Sequence, residues 1–260
     1  MPGETLDVYK LLKEAGEFFE RGFYKEAEQN CKAALSVNPR LFYAYNILGA
    51  IYAKKRGGER QAILYFEKSL SVSVRQPDIY NEIAALYNRT GETDKAISCL
   101  EAGQKHISNN FRLNYNLGLM YLINKHDPET AAGFFSNARK QKPDNARVLF
   151  ITGFSHVLAG DKAQALEYVT GLRALRNENL AAQLEAVMRE KEQGKEIDMA
   201  GVMEDYAEAK VPGEKKAEKE HETDKNGRIT LGEPSIRGSG SGEVIIKRTF
   251  KREKSKKDKE

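Results

Sequence analysis

Apolar residues recur three and four positions apart along most of the first 177 residues, which is the period of an amphipathic helix. Segments such as YNILGAIYAKK and YNEIAALYNRT are each followed, after a short turn, by a second amphipathic segment such as ERQAILYFEKSLSV or TDKAISCLEAGQKH. The turns in ERGFYKEA, KRGGERQA and NRTGETDKA contain Gly, the residue that most often ends a helix. This pattern predicts an all-α fold made of helix, short turn, helix units.

The units repeat at a nearly constant period. Small residues recur 34, 35, 34 and 35 positions apart, at Ala15, Gly49, Ala84, Gly118 and Gly153. An aromatic ring follows three positions later in each copy, at Phe18, Tyr52, Tyr87, Tyr121 and, in the fifth, His156. Small residues allow two helix axes to approach within about 8 to 10 Å, so we expect the small position at the helix crossing and the ring against the adjacent unit.

A second series places a small residue and then a larger apolar residue in the second helix. The members are Ala27, Ala62, Ala96, Ala131 and Ala165, followed by Cys31, Phe66, Leu100, Phe135 and Val169. The ring and the small residue of this series are 9 positions apart in copies one, three and five, but 10 apart in copies two and four. The sequence predicts that the extra residue lies in the turn between the two helices.

The repeat resembles the tetratricopeptide repeat, whose signature is an aromatic residue, a Leu-Gly pair, Tyr, Ala, an aromatic residue, Ala and a closing Pro. The fourth copy matches it at Leu117, Gly118, Tyr121, Ala131, Phe135, Ala138 and Pro143, and the second at Tyr45, Leu48, Gly49, Tyr52, Ala62 and Phe66. The resemblance covers about Val8 to Asn177. It implies a right-handed superhelical solenoid of antiparallel helix pairs with a concave groove lined by the first helices.

These spacings divide the chain into four kinds of segment. Residues 1–7 are an N-terminal extension, and 8–177 hold five repeats at about 8–41, 42–76, 77–110, 111–145 and 146–179. Residues 178–211 are a degenerate sixth repeat or capping helices, and 212–260 a disordered basic tail with a short apolar island at 244–250. A charged terminal unit is expected because stacked repeats need a polar cap.

The predicted groove residues lie on the first helices, on the side away from the partner helix. They are Tyr9, Leu12, Phe19, Tyr43, Asn46, Asn81, Asn88, Arg89, Arg112, Tyr115, Phe150 and Phe154. Asn side chains can donate to and accept from a peptide backbone at once, and Tyr and Phe supply apolar anchors. Arg89 and Arg112 could meet a carboxylate. We predict a groove for a peptide or partner helix of apolar and mildly acidic character.

The tail carries most of the charge imbalance. Of the 42 Lys and Arg, 15 lie between Lys210 and Glu260, against 10 of the 38 Asp and Glu. Its candidate contact residues are Val244, Ile245, Ile246, Lys247, Arg248, Phe250, Lys251 and Arg252. Three interpretations stay open: a solvated tail, a strand or groove anchor that could use the chain's own groove, and weak RNA or anionic-surface contact by counterion release.

Little in the sequence indicates chemistry. Cys31 and Cys99 have no CxxC spacing and are expected to be core residues, and the four His are scattered. The sequence therefore predicts no enzyme, cofactor, metal or small-molecule substrate. It shows neither a signal-peptide pattern nor about 18 continuous apolar residues, so we expect a cytoplasmic location.

Taken together, these features predict a non-catalytic interaction scaffold or adaptor that assembles a larger complex through its concave groove. Two alternatives stay open and both depend on the tail. One is a ribonucleoprotein or nucleic-acid assembly factor, and the other is a scaffold recruited to a membrane-associated machine.

Overall fold

The computed structural model describes residues 7–199 and 201–203, and every regular element in that part of the chain is a helix. The α-helices are α1 (Val8–Glu20), α2 (Tyr24–Val37), α3 (Phe42–Lys54), α4 (Glu59–Val72), α5 (Pro77–Thr90), α6 (Thr93–His106), α7 (Phe111–Met120), α8 (Pro128–Gln141), α9 (Ala146–Ala159), α10 (Lys162–Ala174) and α11 (Glu178–Glu192). A π-helix, Tyr121–Lys125, continues directly from α7. The predicted all-α class is confirmed.

Consecutive helices pack as antiparallel pairs, and the described residues divide at His106 into two compact units. Unit 1 contains α1 to α6 and has a core that includes Ala15, Cys31, Ile47 and Phe66. Unit 2 contains α7 to α11, and its core is built around Phe135, Phe150, Phe154, Leu172 and Leu184.

Short polar side chains fix where many of these helices begin. Asp and Asn residues directly before a helix accept hydrogen bonds from its first free N–H groups, which would otherwise have no partner. Such caps are Asp7, Asn110, Asp127, Asn145, Asp161 and Asn177. Pro77 and Pro128 stand at the first helical position, where no N–H is needed.

The small residues lie where the two helices of a pair cross, as predicted. A Cβ atom added at Gly49 would lie 2.5 Å from the ring of Phe66, and one added at Gly118 would lie 2.5 Å from the ring of Phe135. Both rings are buried, with at most 2% of their surface exposed. The rings are therefore packed directly against the glycine backbone, and the repeated small residue is a steric requirement of each crossing.

The extra residue of the longer repeats has two different locations. In the second copy it lies in the four-residue turn between α3 and α4, as predicted. In the fourth copy the prediction is wrong, because the extra residue is taken up within the helix as the π-helix. One inserted residue widens a single helical turn into this form. The turn that follows has two residues, like the turns that begin at Gly91 and Gly160. His126 takes the left-handed conformation that glycine has in those turns, at φ 53°.

The repeated rings pack within their own helix pair, and Tyr52 also reaches the preceding one. The Tyr52 ring packs at a tilt against Tyr65, with centroids 5.4 Å apart and 34° between the ring planes, and His156 stacks on Tyr168 at 5.6 Å. His156 thus takes the place of the aromatic ring in the fifth pair. The Tyr52 hydroxyl also donates to Glu28 of α2 at 3.0 Å, which joins the second pair to the first.

Glu28 is the centre of a charged cluster between those two pairs. Its carboxylate is 2.7 Å from the ammonium of Lys32 and 3.2 Å from that of Lys55. Burial raises the pKa of Glu28, but the hydrogen bonds from Lys32, Lys55 and Tyr52 outweigh it and hold the pKa at about 2. The carboxylate is therefore ionised at neutral pH and accepts from three donors at once.

Both cysteines are free thiols in unit 1. Cys31 is fully buried in the core, as predicted, and Cys99 is partly buried with its Sγ 3.7 Å from the carbonyl oxygen of Tyr80. Burial raises the pKa of each thiol to about 12. Both remain protonated at neutral pH, and a protonated thiol is a poor nucleophile.

Candidate functional site

All twelve predicted groove residues belong to the first helix of a pair. Eight are in unit 1, on α1, α3 and α5, and four are in unit 2, on α7 and α9. Their assignment to a binding surface stays a prediction, and their surroundings differ from residue to residue.

On α1 and α3, two tyrosine rings reach the surface of unit 1. Tyr9 is 85% exposed and Tyr43 is 39% exposed. A Cβ atom added at Gly16 would lie 3.6 Å from the Tyr43 hydroxyl, so the Tyr43 side chain reaches α1. Leu12, half-buried, packs against the core nearby. Exposed aromatic rings beside a helix groove are suited to apolar contact with a second chain.

Asn46 on α3 belongs to a polar network that the sequence did not reveal. Its Nδ2 donates to Oε1 of Gln76 at 2.8 Å, and Nε2 of Gln76 donates to Ser69 Oγ at 2.9 Å and to the Ser73 carbonyl at 2.8 Å. The network therefore ties α3 to the end of α4 and the start of α5. Asn46 Oδ1 is buried and has no hydrogen-bond partner in the described part of the chain. A buried acceptor without a donor costs about 1–3 kcal/mol.

The polar candidates on α5 make contacts within the protein. Asn81 is 1% exposed, and its Nδ2 donates to the Pro77 carbonyl at 2.8 Å. Arg89 forms an ion pair with Glu59 at 3.2 Å and donates to the Ala53 carbonyl at 3.4 Å. Arg89 thus joins α5 to the preceding pair, a structural role that the sequence analysis did not foresee. Asn88 is half-buried on the same helix.

Three of the candidate phenylalanines are buried in the unit cores. Phe19 is 4% exposed, and the ammonium of Lys54 lies 5.1 Å from its ring centre. Phe150 and Phe154 are fully buried and stack on each other with centroids 6.2 Å apart. Each therefore stabilises its unit by packing, whatever else it contacts.

In unit 2, Tyr115 and Arg112 lie on α7. Tyr115 is half-buried and stacks on Phe111, and its ring also meets the edge of Phe135, with both centroid distances 5.7 Å. Arg112 is half-buried at the second residue of α7. Arg147 occupies the equivalent second position of α9 and is also half-buried. Arg147 is not among the predicted groove residues, although it follows Arg112 by 35 residues and so occupies the same position of the repeat.

The eight tail residues of the prediction lie outside the described residues. They are Val244, Ile245, Ile246, Lys247, Arg248, Phe250, Lys251 and Arg252. Within the described residues, no group of three or more His, Cys, Asp and Glu side chains is arranged to hold a metal ion. The helices of that part of the chain are also too short or too polar to span a bilayer.

Comparison with known proteins shows which solved structures share the fold. The chain matches no protein-family model and no curated protein sequence. Among solved structures, a MamA protein superposes with a TM-score of 0.54 and 19% identity over 68% of this chain and 94% of its own. MamA from Desulfovibrio magneticus RS-1 gives 0.51 and 22% over 65% and 96%.

YrrB, a tetratricopeptide-repeat protein with an unusual peptide-binding site, superposes with a TM-score of 0.53 and 18% identity over 69% of this chain and 92% of its own. At these identities the likeness is one of fold. The resemblance seen in the sequence is thereby confirmed at the level of fold: the chain folds as tetratricopeptide-type helix pairs.

Proposed function

We infer that this tetratricopeptide-type chain is a non-catalytic scaffold that binds a peptide or a partner helix on the first-helix face of unit 1 and so assembles a larger complex. The observation that carries this proposal is the buried Oδ1 of Asn46, which has no donor in the described part of the chain. It lies one helical turn from the exposed ring of Tyr43.

A backbone N–H of a bound peptide would supply the missing donor to Asn46 once the side chains that cover its buried Oδ1 move aside. Its Nδ2 is already held by Gln76, and Gln76 is held by Ser69 and Ser73, so the acceptor is fixed in direction before a ligand arrives. Such preorganisation reduces the entropy lost on binding. Tyr9 and Tyr43 would contact apolar side chains of the same ligand. The likeness to YrrB supports the fold that such binding requires.

A displayed library of random peptides, panned on the full chain, tests the proposal. Selected peptides are then labelled, and their dissociation constants are measured by fluorescence anisotropy. Tyr43→Ala should weaken binding by about tenfold, the usual effect of removing an aromatic anchor. Asn46→Leu keeps the side-chain shape but removes the acceptor, and should weaken binding by about 2- to 12-fold, the value of one hydrogen bond.

Leu64→Ala is the matched control, because Leu64 is an apolar residue, 51% exposed, on the second helix α4. It should leave binding unchanged. If the library yields no binder, or if the selected peptides bind Tyr43→Ala and Asn46→Leu as tightly as the unchanged chain, the proposed surface is wrong.

The two alternatives from the sequence, nucleic-acid assembly and recruitment to a membrane-associated machine, rest on tail residues that lie outside the described part of the chain. They are distinguished by a salt-dependent affinity for RNA or for anionic vesicles that disappears when residues 247–260 are deleted.

A further inference from the structure

Exposed apolar side chains occur together at one edge of unit 1, where first helices begin and second helices end. Val37 is the last residue of α2, Phe42 is the first residue of α3, and Val74 lies between α4 and α5. Each of the three is between 41% and 55% exposed. Large apolar side chains that share a water-facing surface indicate contact with a partner. We call this surface the loop edge, residues 37–42 and 73–76.

A chain of hydrogen bonds holds the two loops of this edge together. Oγ of Ser69, in the last turn of α4, donates to the carbonyl oxygen of Phe42 at 3.1 Å. Nε2 of Gln76 donates to the same Ser69 hydroxyl at 2.9 Å and to the carbonyl oxygen of Ser73 at 2.8 Å. The backbone that carries Phe42 and Val74 is therefore fixed, and little conformational entropy is lost when the edge meets a partner.

The charge of the loop edge is positive. Arg40 and Arg75 are both exposed, and each is within two residues of one of the exposed apolar side chains. Residues 36–43 and 71–76 contain no Asp or Glu. Each of the two loops therefore presents an arginine and an apolar side chain next to each other.

An anionic lipid bilayer fits both properties of the loop edge. Apolar side chains that project singly from loops can each enter the boundary between lipid headgroups and acyl chains. Arginines beside them can hold lipid phosphates through a planar fork of donors, and an anionic leaflet attracts positive charge. The core of a protein interface is instead poor in charge, whereas here an arginine stands beside the apolar residues of each loop. These observations favour lipid over a protein partner.

We propose that the loop edge is a membrane-contact surface, through which unit 1 docks on an anionic lipid bilayer. Val37, Phe42 and Val74 enter the headgroup boundary, and Arg40 and Arg75 bind lipid phosphates. The loop edge lies at the helix ends, so this activity is additional to the peptide binding proposed for the first-helix face. A chain with both surfaces brings the protein that carries the bound peptide to the bilayer.

Vesicle sedimentation with the full chain tests the proposal. The vesicles contain phosphatidylcholine and phosphatidylserine in equal amounts, or phosphatidylcholine alone, and the chain should bind only the anionic vesicles. Phe42→Ser should weaken binding by about tenfold, the usual effect of removing an aromatic side chain that is buried on contact. Arg40→Gln and Arg75→Gln should each weaken binding by about fivefold, the contribution of one basic residue near an anionic surface.

Two control variants lie on α4, away from the loop edge. Leu64→Ser replaces an exposed apolar residue in the middle of the helix, and Arg60→Gln replaces an exposed arginine at the opposite end of the helix. Both should leave the affinity nearly unchanged, although Arg60→Gln lowers the net charge as much as Arg75→Gln does. Far-ultraviolet circular dichroism shows whether each variant keeps its helices.

Fluorescence shows directly whether the loop edge enters the bilayer. The chain contains no Trp, so Phe42→Trp introduces a single indole at this edge. Its emission should shift to shorter wavelength when anionic vesicles are added, and lipids with brominated acyl chains should quench it, because the indole moves into the membrane interface. Leu64→Trp places the same fluorophore on α4 and should show neither change.

The proposal is overturned if the chain does not bind anionic vesicles, or if Phe42→Ser and the two arginine variants bind them as tightly as the unchanged chain. It is also overturned if deletion of residues 247–260 removes all vesicle binding, since the tail would then be the contact. Analytical ultracentrifugation without lipid covers a further alternative. Self-association that Phe42→Ser abolishes would show that a second copy occupies the loop edge instead of lipid.

Discussion

The contact between Gly118 and Phe135 allows the packing of a helix crossing to be tested with one added methyl group. In Gly118→Ala the new Cβ would lie 2.5, 2.7 and 2.8 Å from three ring atoms of Phe135, where an unstrained contact is about 3.5–4.0 Å. The ring is fully buried and packed edge-on against Tyr115, so a shift of about 1 Å must displace other core residues. Overpacking of this kind costs about 1–3 kcal/mol.

Alanine also favours a helix by about 1 kcal/mol over glycine, and this gain must be separated from the clash. Gly133 provides the control, because it is an exposed glycine within α8 and a Cβ there would meet nothing within 4 Å. We expect Gly133→Ala to stabilise unit 2 by about 0.5–1 kcal/mol. Gly118→Ala should therefore be less stable than Gly133→Ala by about 1–3 kcal/mol.

Thermal unfolding followed by far-ultraviolet circular dichroism measures both effects. A difference of 1 kcal/mol corresponds to about 4–8 °C in Tm for a unit of roughly 100 residues. Phe135→Leu in the Gly118→Ala background should reduce the cost of the alanine, because the smaller side chain makes room for it. The close helix crossing does not require glycine at position 118 if Gly118→Ala is as stable as Gly133→Ala. The same conclusion follows if Phe135→Leu leaves the destabilisation by Gly118→Ala unchanged.

Three further predictions concern the left-handed residue His126, the charged cluster around Glu28 and the ion pair of Arg89. His126→Gly should raise stability by about 0.5–1 kcal/mol, because the left-handed conformation at φ 53° strains histidine, and a lower Tm would refute this. Glu28→Gln should cost about 1–2 kcal/mol at neutral pH, discounted because the partner lysines are about half exposed. Since the folded pKa of Glu28 is about 2 against 4.5 unfolded, this contribution is present above pH 4.5 and lost as the pH falls towards 2, so acid titration of Tm should converge for the two chains. A double-mutant cycle of Arg89→Ala and Glu59→Ala should give a coupling of about 0.5–1 kcal/mol, and zero coupling would show that this ion pair does not stabilise unit 1.

Much of the fold was predictable because each helix pair is specified locally. The period of three and four residues, the glycines at the turns and the small residues repeated every 34 or 35 positions all act over short distances along the chain. They identify the helical class and the residues at each crossing, such as Gly49 with Phe66. The stacking of His156 on Tyr168 shows that even an unusual residue in the ring position keeps its packing role.

The candidate site was less predictable, because the environment of a polar side chain depends on residues far away in sequence. A helical wheel places Asn46 and Arg89 on the first-helix face but does not show Gln76 beside one and Glu59 beside the other. The inserted residue of the fourth copy is a similar case. Spacing counts the residue but does not say whether it enters a turn or widens a helix, and here the π-helix begins at Tyr121, whose ring stacks on Phe134.

The sequence by itself therefore determined the helices, their pairing and the small and aromatic residues that repeat at each crossing, since these follow from backbone propensity and amphipathic period. Only the tertiary structure decided which polar groups are satisfied within the protein and which, like Asn46 Oδ1, lack a donor in the described part of the chain. The physical reason is that burial and hydrogen bonding are set by neighbours from other helices, and those neighbours are brought together only when the pairs have packed.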